Sequence, residues 1–348
     1  MLCATPGFTL SALQMLFLPV SLSLTILSAG QARLIAPTQP VKDYSAFFAQ
    51  CRAEECGKRL IVLRSFRQAG EKRVLAVDPE TLETVVRPSK GLHLDRMAWP
   101  ALRESAASEP YGRALQDSET NGASHQDAGI VHALPPGNGV VLTIDLCPST
   151  RPLDRRLFET VIEMFLPEEK PVPLGIALTG KWMEKHADDL AWLRGLQSSG
   201  EIAATWINHS FNHRYAKDLP VSRNFLLEPG TDMRKEILAT EALMLANGFT
   251  PSIFFRFPGL ISDLGLVKRV VSFGLAPIGS DAWLAKTAKD REPSPGSIVL
   301  VHGNGNEPLG VNRFLALLRQ EKAAIRSGNW LLFDLRESVR LEEQIRKD

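Results

Sequence analysis

The sequence predicts an α/β fold of seven βα units behind a small N-terminal appendage. Two observations carry this expectation. From residue 139 onward, short apolar runs alternate with helix-length amphipathic stretches, the pattern of a parallel sheet covered by helices. The polar residues able to do chemistry fall where those runs end, and parallel α/β folds build their sites at that rim.

Taken in order, residues 1–32 read as a secretory signal peptide. Phe8 to Leu27 is almost wholly apolar, and Gly30-Gln31-Ala32 supplies a small-x-small cleavage site that leaves Arg33 first. Because no Lys or Arg precedes the apolar run, an uncleaved anchor and a start at Met15 stay open as alternatives. The signal reading makes the chain periplasmic or secreted. Residues 33–102 form a small α+β segment: Leu60–Leu63 and Val74–Val77 are strand-like, and Thr84–Val86 follows an Asp-Pro turn, so a hairpin is expected. In an oxidising compartment Cys51 and Cys56 would close a small disulfide loop, leaving Cys147 as a free thiol, most simply a small buried hydrophobe, two residues after Asp145. From Arg103 to Gly129 the composition turns to Ser, Glu, Gln, Asn, Asp and Gly with few apolar residues, so residues 103–138 are expected to form a linker.

The repeating region covers residues 139–348. Its strands are expected at Val140–Leu146, Pro173–Leu178, Ile202–Ile207, Ile253–Phe257, Leu275–Ile278, Ile298–Val301 and Trp330–Phe333. Amphipathic helices lie between them, for example Met233–Ala246 with Gly248 as its stop, and Phe314–Ile325 with Gly328 as its stop. Seven units are one short of the eight-fold barrel. Either the barrel is incomplete or the N-terminal segment lends a strand, and a doubly wound sheet satisfies the same spacing.

Charge excludes some partners. Forty basic against thirty-nine acidic side chains, with no long block of either sign, give no footprint for nucleic acid or anionic lipid. At the expected strand ends stand Asp145, Thr179, His209, Arg256, Asp281 and His302. Any one alone is an ordinary loop residue; together they describe a site. His209 and His213 share one face if their segment is helical, which is metal-ligand spacing. Trp182, Trp206, Tyr215 and Trp283 serve equally as core residues or as platforms for a sugar ring. His93, His125, His132 and His186 are taken as surface histidines. The Gly-rich segment after His302 lacks the Lys-Ser/Thr of a phosphate-binding loop.

Five motifs in order resemble the polysaccharide deacetylase family: Thr143-Ile-Asp-Leu-Cys-Pro148, His209-Ser-Phe-Asn-His213, Arg256-Phe-Pro258, Ser280-Asp-Ala-Trp283 and Val299-Leu-Val-His302. The resemblance implies a distorted (β/α)7 barrel, a divalent metal, usually zinc, and removal of N-acetyl groups from a chitin-like or peptidoglycan-like glycan. Carried over, it makes Asp145 the base that activates water, His209 and His213 metal ligands, and His302 the acid that protonates the leaving amine. It makes Arg256 the residue that holds the base, and Asp281 the partner that orients His302. These roles meet the demands of amide hydrolysis: an activated water, charge stabilisation and a proton for nitrogen. One departure stands out. Leu146 occupies the position of the family's metal-binding aspartate, and leucine ligates nothing. Cys147 as a soft ligand, Asn208 or Asn304 as a weak oxygen ligand, or catalysis with a weakly held metal would then repair the site; a fourth reading is that no metal binds and the activity is lost. Leu146→Asp is expected to tighten zinc binding together with the two imidazoles. A carbohydrate-binding barrel without turnover is the rival, and a hydrolase of non-sugar amides or esters is a third reading.

Overall fold

The computed structural model describes residues 40–122, 125–286 and 292–340. The expected signal peptide lies outside them. Among the described residues, no helix is long and apolar enough to cross a membrane. Strands β1 (Lys42–Cys51), β2 (Leu60–Gln68), β3 (Glu71–Val77), β4 (Thr84–Pro88) and β5 (Leu94–Arg96) form an antiparallel sheet in the order β4-β3-β2-β1-β5. The expected hairpin is present, with Val77 opposite Thr84. A second tight turn joins β2 to β3 through Ala69 and Gly70, both at positive φ, which suits the right-handed twist of the flanking strands. Cys51 and Cys56 are disulfide-bonded, and Cys147 is a buried free thiol.

Strands β6 (Gly139–Leu146), β7 (Val172–Leu178), β8 (Ile202–Asn208), β9 (Pro251–Arg256), β10 (Ala276–Ile278), β11 (Ala282–Trp283), β12 (Ile298–His302) and β13 (Leu331–Leu332) form a second sheet. Its order is β10-β9-β8-β7-β6-β12-β11, with β13 beside the start of β6, and every pairing is parallel. The sheet curls into a distorted (β/α)7 barrel with helices outside it. Central strands buried on both faces give unbroken apolar runs, which is why the sequence locates them.

Residues 103–138 are not the unstructured linker that their composition suggests. Helices Trp99–Ser105 and Pro110–Thr120 bury Leu102, Tyr111, Ala114 and Leu115. Beyond them, Ile130 N donates to Pro277 O (3.1 Å), Gly279 N to Ile130 O (2.8 Å), and Ala133 N to Gly296 O (2.9 Å). The segment thus spans from β10 to the approach of β12, on the side where a seven-unit barrel lacks a strand. A few buried residues at helical spacing are diluted by polar neighbours, and backbone pairing leaves no trace in composition.

The appendage is fastened to the barrel by an ion pair with almost no exposure. Arg64 Nε and Nη2 donate to the two Glu241 carboxylate oxygens at 2.7 and 2.9 Å. Nη1 donates to Leu63 O and Phe273 O, and Tyr44 Oη donates to Glu241 Oε2. With its hydrogen bonds satisfied, the pair holds β1 and β2 against the Met233–Ala246 helix. Glu241→Ala would leave the guanidinium buried and unpaired, so it should cost roughly 3–5 kcal/mol. Denaturant unfolding measures this, and the double variant Arg64→Met/Glu241→Leu should recover most of the loss.

Candidate active site

Side chains alternate across a strand, and on β6 that alternation sorts chemistry from packing. Leu142, Ile144 and Leu146 join the apolar cluster that includes Leu157, Phe158 and Val161 of the Arg155–Met164 helix. Thr143 and Asp145 take the opposite phase. Thr143 Oγ1 accepts from Arg256 Nη2 at 3.0 Å, while Asp145 lies 3.6 Å from Arg256 Nη1 and 3.6 Å from His209 Nε2. Cys147 continues this inward phase just past the strand, its Sγ 3.4 Å from His209 Nε2. Asp145 Oδ1 is buried without a hydrogen-bond partner among the described residues.

His209 follows β8. Its Nδ1 lies 2.9 Å from the Arg256 carbonyl, which can only accept, so Nδ1 carries the proton and Nε2 keeps its lone pair toward Asp145 and Cys147. Burial pushes the His209 pKa below its ordinary value against the opposing pull of Asp145. The His209–His213 segment is not helical, contrary to the spacing argument. Ser210 and His213 adopt positive φ (68° and 46°), and Glu236 Oε2 accepts from the amides of Phe211 and Asn212, both at 2.8 Å. This strained turn brings the rings to 4.8 Å between centroids. One ligand atom each from Cys147, His209 and His213 lies within 4.8 Å of the others, and His213 Nε2 is buried with no hydrogen-bond partner among the described residues. That donor set fits a divalent metal. Asn208 and Asn304 do not join it: Asn208 bonds Ile237 O and Ser210 N, and Asn304 bonds Cys147 O and Asn306 N.

His302 ends β12, directly beside Asp145 in the sheet. Its Nδ1 is 2.8 Å from Glu307 Oε2, which also accepts from Trp283 Nε1 at 3.0 Å. Burial opposes the charged ring, but Cys147, Glu307 and Asp145 outweigh it and raise the His302 pKa to about 10. Burial likewise raises the Cys147 thiol, and His213 and His302 more than reverse this, bringing it to about 7.

Asp281 does not orient His302. Its carboxylate bonds His132 Nδ1 at 2.6 Å, Ser297 Oγ at 3.2 Å and Ile298 N at 2.9 Å. Those contacts sit at the start of β12, whereas His302 is four residues along, about 13 Å away at strand rise. Glu307 takes the place at His302, and nothing in the spacing of His302-Gly-Asn-Gly-Asn-Glu307 distinguished it. Thr179 is structural, bonding Leu146 O and capping Trp182 N. His132 is a partly exposed partner of Asp281, whereas His186 is buried between Asp189 and Ser149 O with its ring stacked on Trp182 and is not the surface histidine expected. Trp182 and Trp206 are core residues. Tyr215, Phe225 and Trp283, together with Cys147, His213 and His302, line a cavity of about 630 Å³.

No protein-family model matches the chain. Among solved structures it is similar to a family 4 carbohydrate esterase from Bacillus anthracis, at 17% identity and TM-score 0.43, covering 66% of this chain and 91% of that one. It is also similar to the peptidoglycan deacetylase PdaC from Bacillus subtilis, at 15% identity and TM-score 0.42, covering 61% and 96%. A CE4 family pseudoenzyme from Bacillus anthracis is similar at 18% identity and TM-score 0.41, covering 61% and 69%. At such identities the chemistry rests on the residues of this chain.

The outward phase of Leu146 overturns the expectation that an aspartate there would join the two imidazoles. Leu146→Asp puts a carboxylate under the helices and should destabilise the fold by roughly 3–5 kcal/mol, as loss of a buried leucine and an unpaired charge both cost. Zinc affinity should not rise. Chemical denaturation and a chelator-competition titration check the two outcomes.

Proposed function

We propose that this chain is an exported, metal-assisted hydrolase that removes N-acetyl groups from an amino-sugar polymer. The observation that carries the reading is the convergence of Asp145, the His209–His213 pair and His302 at the carboxyl ends of β6, β8 and β12, beside one cavity. A base, a cation site and an acid in one place are the set that amide hydrolysis needs. The aromatic lining of the cavity suits the apolar face of a sugar ring.

In this reading His209 and His213, with Cys147 alongside, would hold the cation. When bound, a divalent cation of the zinc class supplies Lewis-acid polarisation of the acyl oxygen and its water. Asp145 takes the proton of the attacking water through its carboxylate, whose Oδ2 faces His209, while Arg256, fixed by Thr143, lies against Oδ1 and neutralises and positions the carboxylate. The water oxygen forms a bond to the acetyl carbon. The His302 imidazolium then gives its proton to the amide nitrogen as the C–N bond breaks, yielding acetate and a free amine on the sugar. Cys147, Glu307 and Asp145 together keep His302 protonated through the neutral range.

A second reading, a carbohydrate-binding barrel without turnover, is favoured by one observation: the residue in the position of the family's ligating aspartate is a core leucine. A pure binder has no use for both a base and an acid, and on that ground the hydrolase reading leads.

Asp145→Asn and His302→Ala should each lower acetate release from N-acetylated oligosaccharides by roughly 100- to 10,000-fold with the fold intact. Near-parental turnover in either variant removes the mechanism. Glu307→Gln tests the acid separately. The reaction needs the imidazolium, whose pKa of about 10 is held up in part by Glu307, so this variant should move the alkaline limb of the kcat/KM profile to lower pH. An unmoved limb means that another group donates the proton.

A further inference from the structure

We propose that Cys147 is a metal ligand, completing a Cys-His-His set with His209 and His213 that selects a thiophilic divalent cation. The proposal deepens the hydrolase reading and rests on it only for what the cation is used for.

A catalytic zinc takes three protein ligands and leaves a fourth position for water or substrate. Two imidazoles fall one short, and Leu146 faces the helices. The side chain with the correct phase is the next inward one, Cys147, whose Sγ stands 3.4 Å from His209 Nε2. Both imidazoles are free to coordinate there. His209 has its other nitrogen engaged by the Arg256 carbonyl, and His213 Nε2 is buried with no hydrogen bond among the described residues. The thiol is held by the backbone around it: Asn304 Nδ2 donates to the Cys147 carbonyl at 2.7 Å, and Thr179 Oγ1 donates to the Leu146 carbonyl at 2.9 Å. A thiolate brings the one negative charge that a carboxylate would have brought, from one residue further along the chain.

The change of donor has a chemical consequence. Magnesium, calcium and manganese prefer oxygen donors, whereas a thiolate with two imidazoles prefers zinc or cobalt(II). The site should therefore bind Zn²⁺ and Co²⁺ and ignore Mg²⁺.

Metal-stripped full-length protein is titrated with Co²⁺, and separately with Zn²⁺ against a competing chelator. The parent should show a near-ultraviolet thiolate-to-cobalt charge-transfer band, and Cys147→Ser should lose it. Zinc affinity should fall roughly 100-fold or more in that variant, since even outer-sphere partners of a metal are worth up to about that much. A second measurement needs no cysteine variant. Iodoacetamide labelling of Cys147 in the parent, mapped by mass spectrometry, should be blocked by Zn²⁺ and unaffected by Mg²⁺, and His213→Ala should abolish the zinc protection. Equal zinc affinity in parent and Cys147→Ser, a cobalt spectrum lacking the thiolate band, or labelling indifferent to zinc would each overturn the proposal. Zinc held through Cys147 with no acetate released from any acetylated oligosaccharide would support it while sinking the hydrolase reading.

Discussion

Every side chain on β6 must face either the barrel interior or the helical shell, and most of what is particular to this molecule follows from that two-way choice. The strand lies between β7 and β12 with β13 beside its start, so its register is fixed from both sides. Its outward set, Leu142, Ile144 and Leu146, anchors the Arg155–Met164 helix. Its inward set, Thr143 and Asp145 with Cys147 beyond the end, meets Arg256 and His209. A slip of one residue would exchange the two sets, burying a carboxylate under helices and turning leucines toward the cavity. Packing and chemistry therefore enforce the same register.

The parts of the fold that were legible in the sequence are those whose burial is complete. All seven expected strands of the repeat occur within about two residues of their expected ends, because a strand covered on both faces must be apolar along its length. Strand β1 was not foreseen. Its residues Lys42-Asp-Tyr-Ser-Ala-Phe-Phe-Ala-Gln-Cys51 are mostly half-exposed and neither alternate cleanly nor form a continuous apolar run. The segment at 130–133 escaped for a different reason, since it acts through backbone hydrogen bonds, which any sequence can make.

Among the site residues, those at a strand end are legible, and His213 joins His209 as its spacing suggests although not in a helix, whereas Asp281 lies elsewhere. Asp145, His209, Arg256 and His302 are brought together at the rim. Asp281 belongs to the loop between two very short strands, where a shift of a few residues carries a side chain from one end of the barrel to the other. The four-residue spacing of His209 and His213 suggested a helix, but the segment is a strained turn held by Glu236, a residue more than twenty positions later. Spacing can encode proximity along a helix; it does not encode a carboxylate that arrives from another element to accept two amides.

The two histidines nearest Asp145 illustrate how one cavity holds the same side chain in opposite states. His209 is fully buried, and its proton is committed to a backbone carbonyl, so burial wins and the ring stays neutral with a lone pair facing inward. His302 is nearly as buried, yet Glu307 beside its Nδ1 and the anionic groups nearby reverse the outcome, and the ring is held cationic. A neutral imidazole can ligate a cation and a charged one cannot; a charged imidazole can deliver a proton and a neutral one cannot. A carbonyl at the Nδ1 of His209 and a carboxylate at that of His302 pull in these two directions, and Cys147 adds the larger share of the pull on His302. The carboxylate comes from the loop after β12, five residues beyond His302, so the strand end that sets the acid in place also supplies one of the groups that keep it charged.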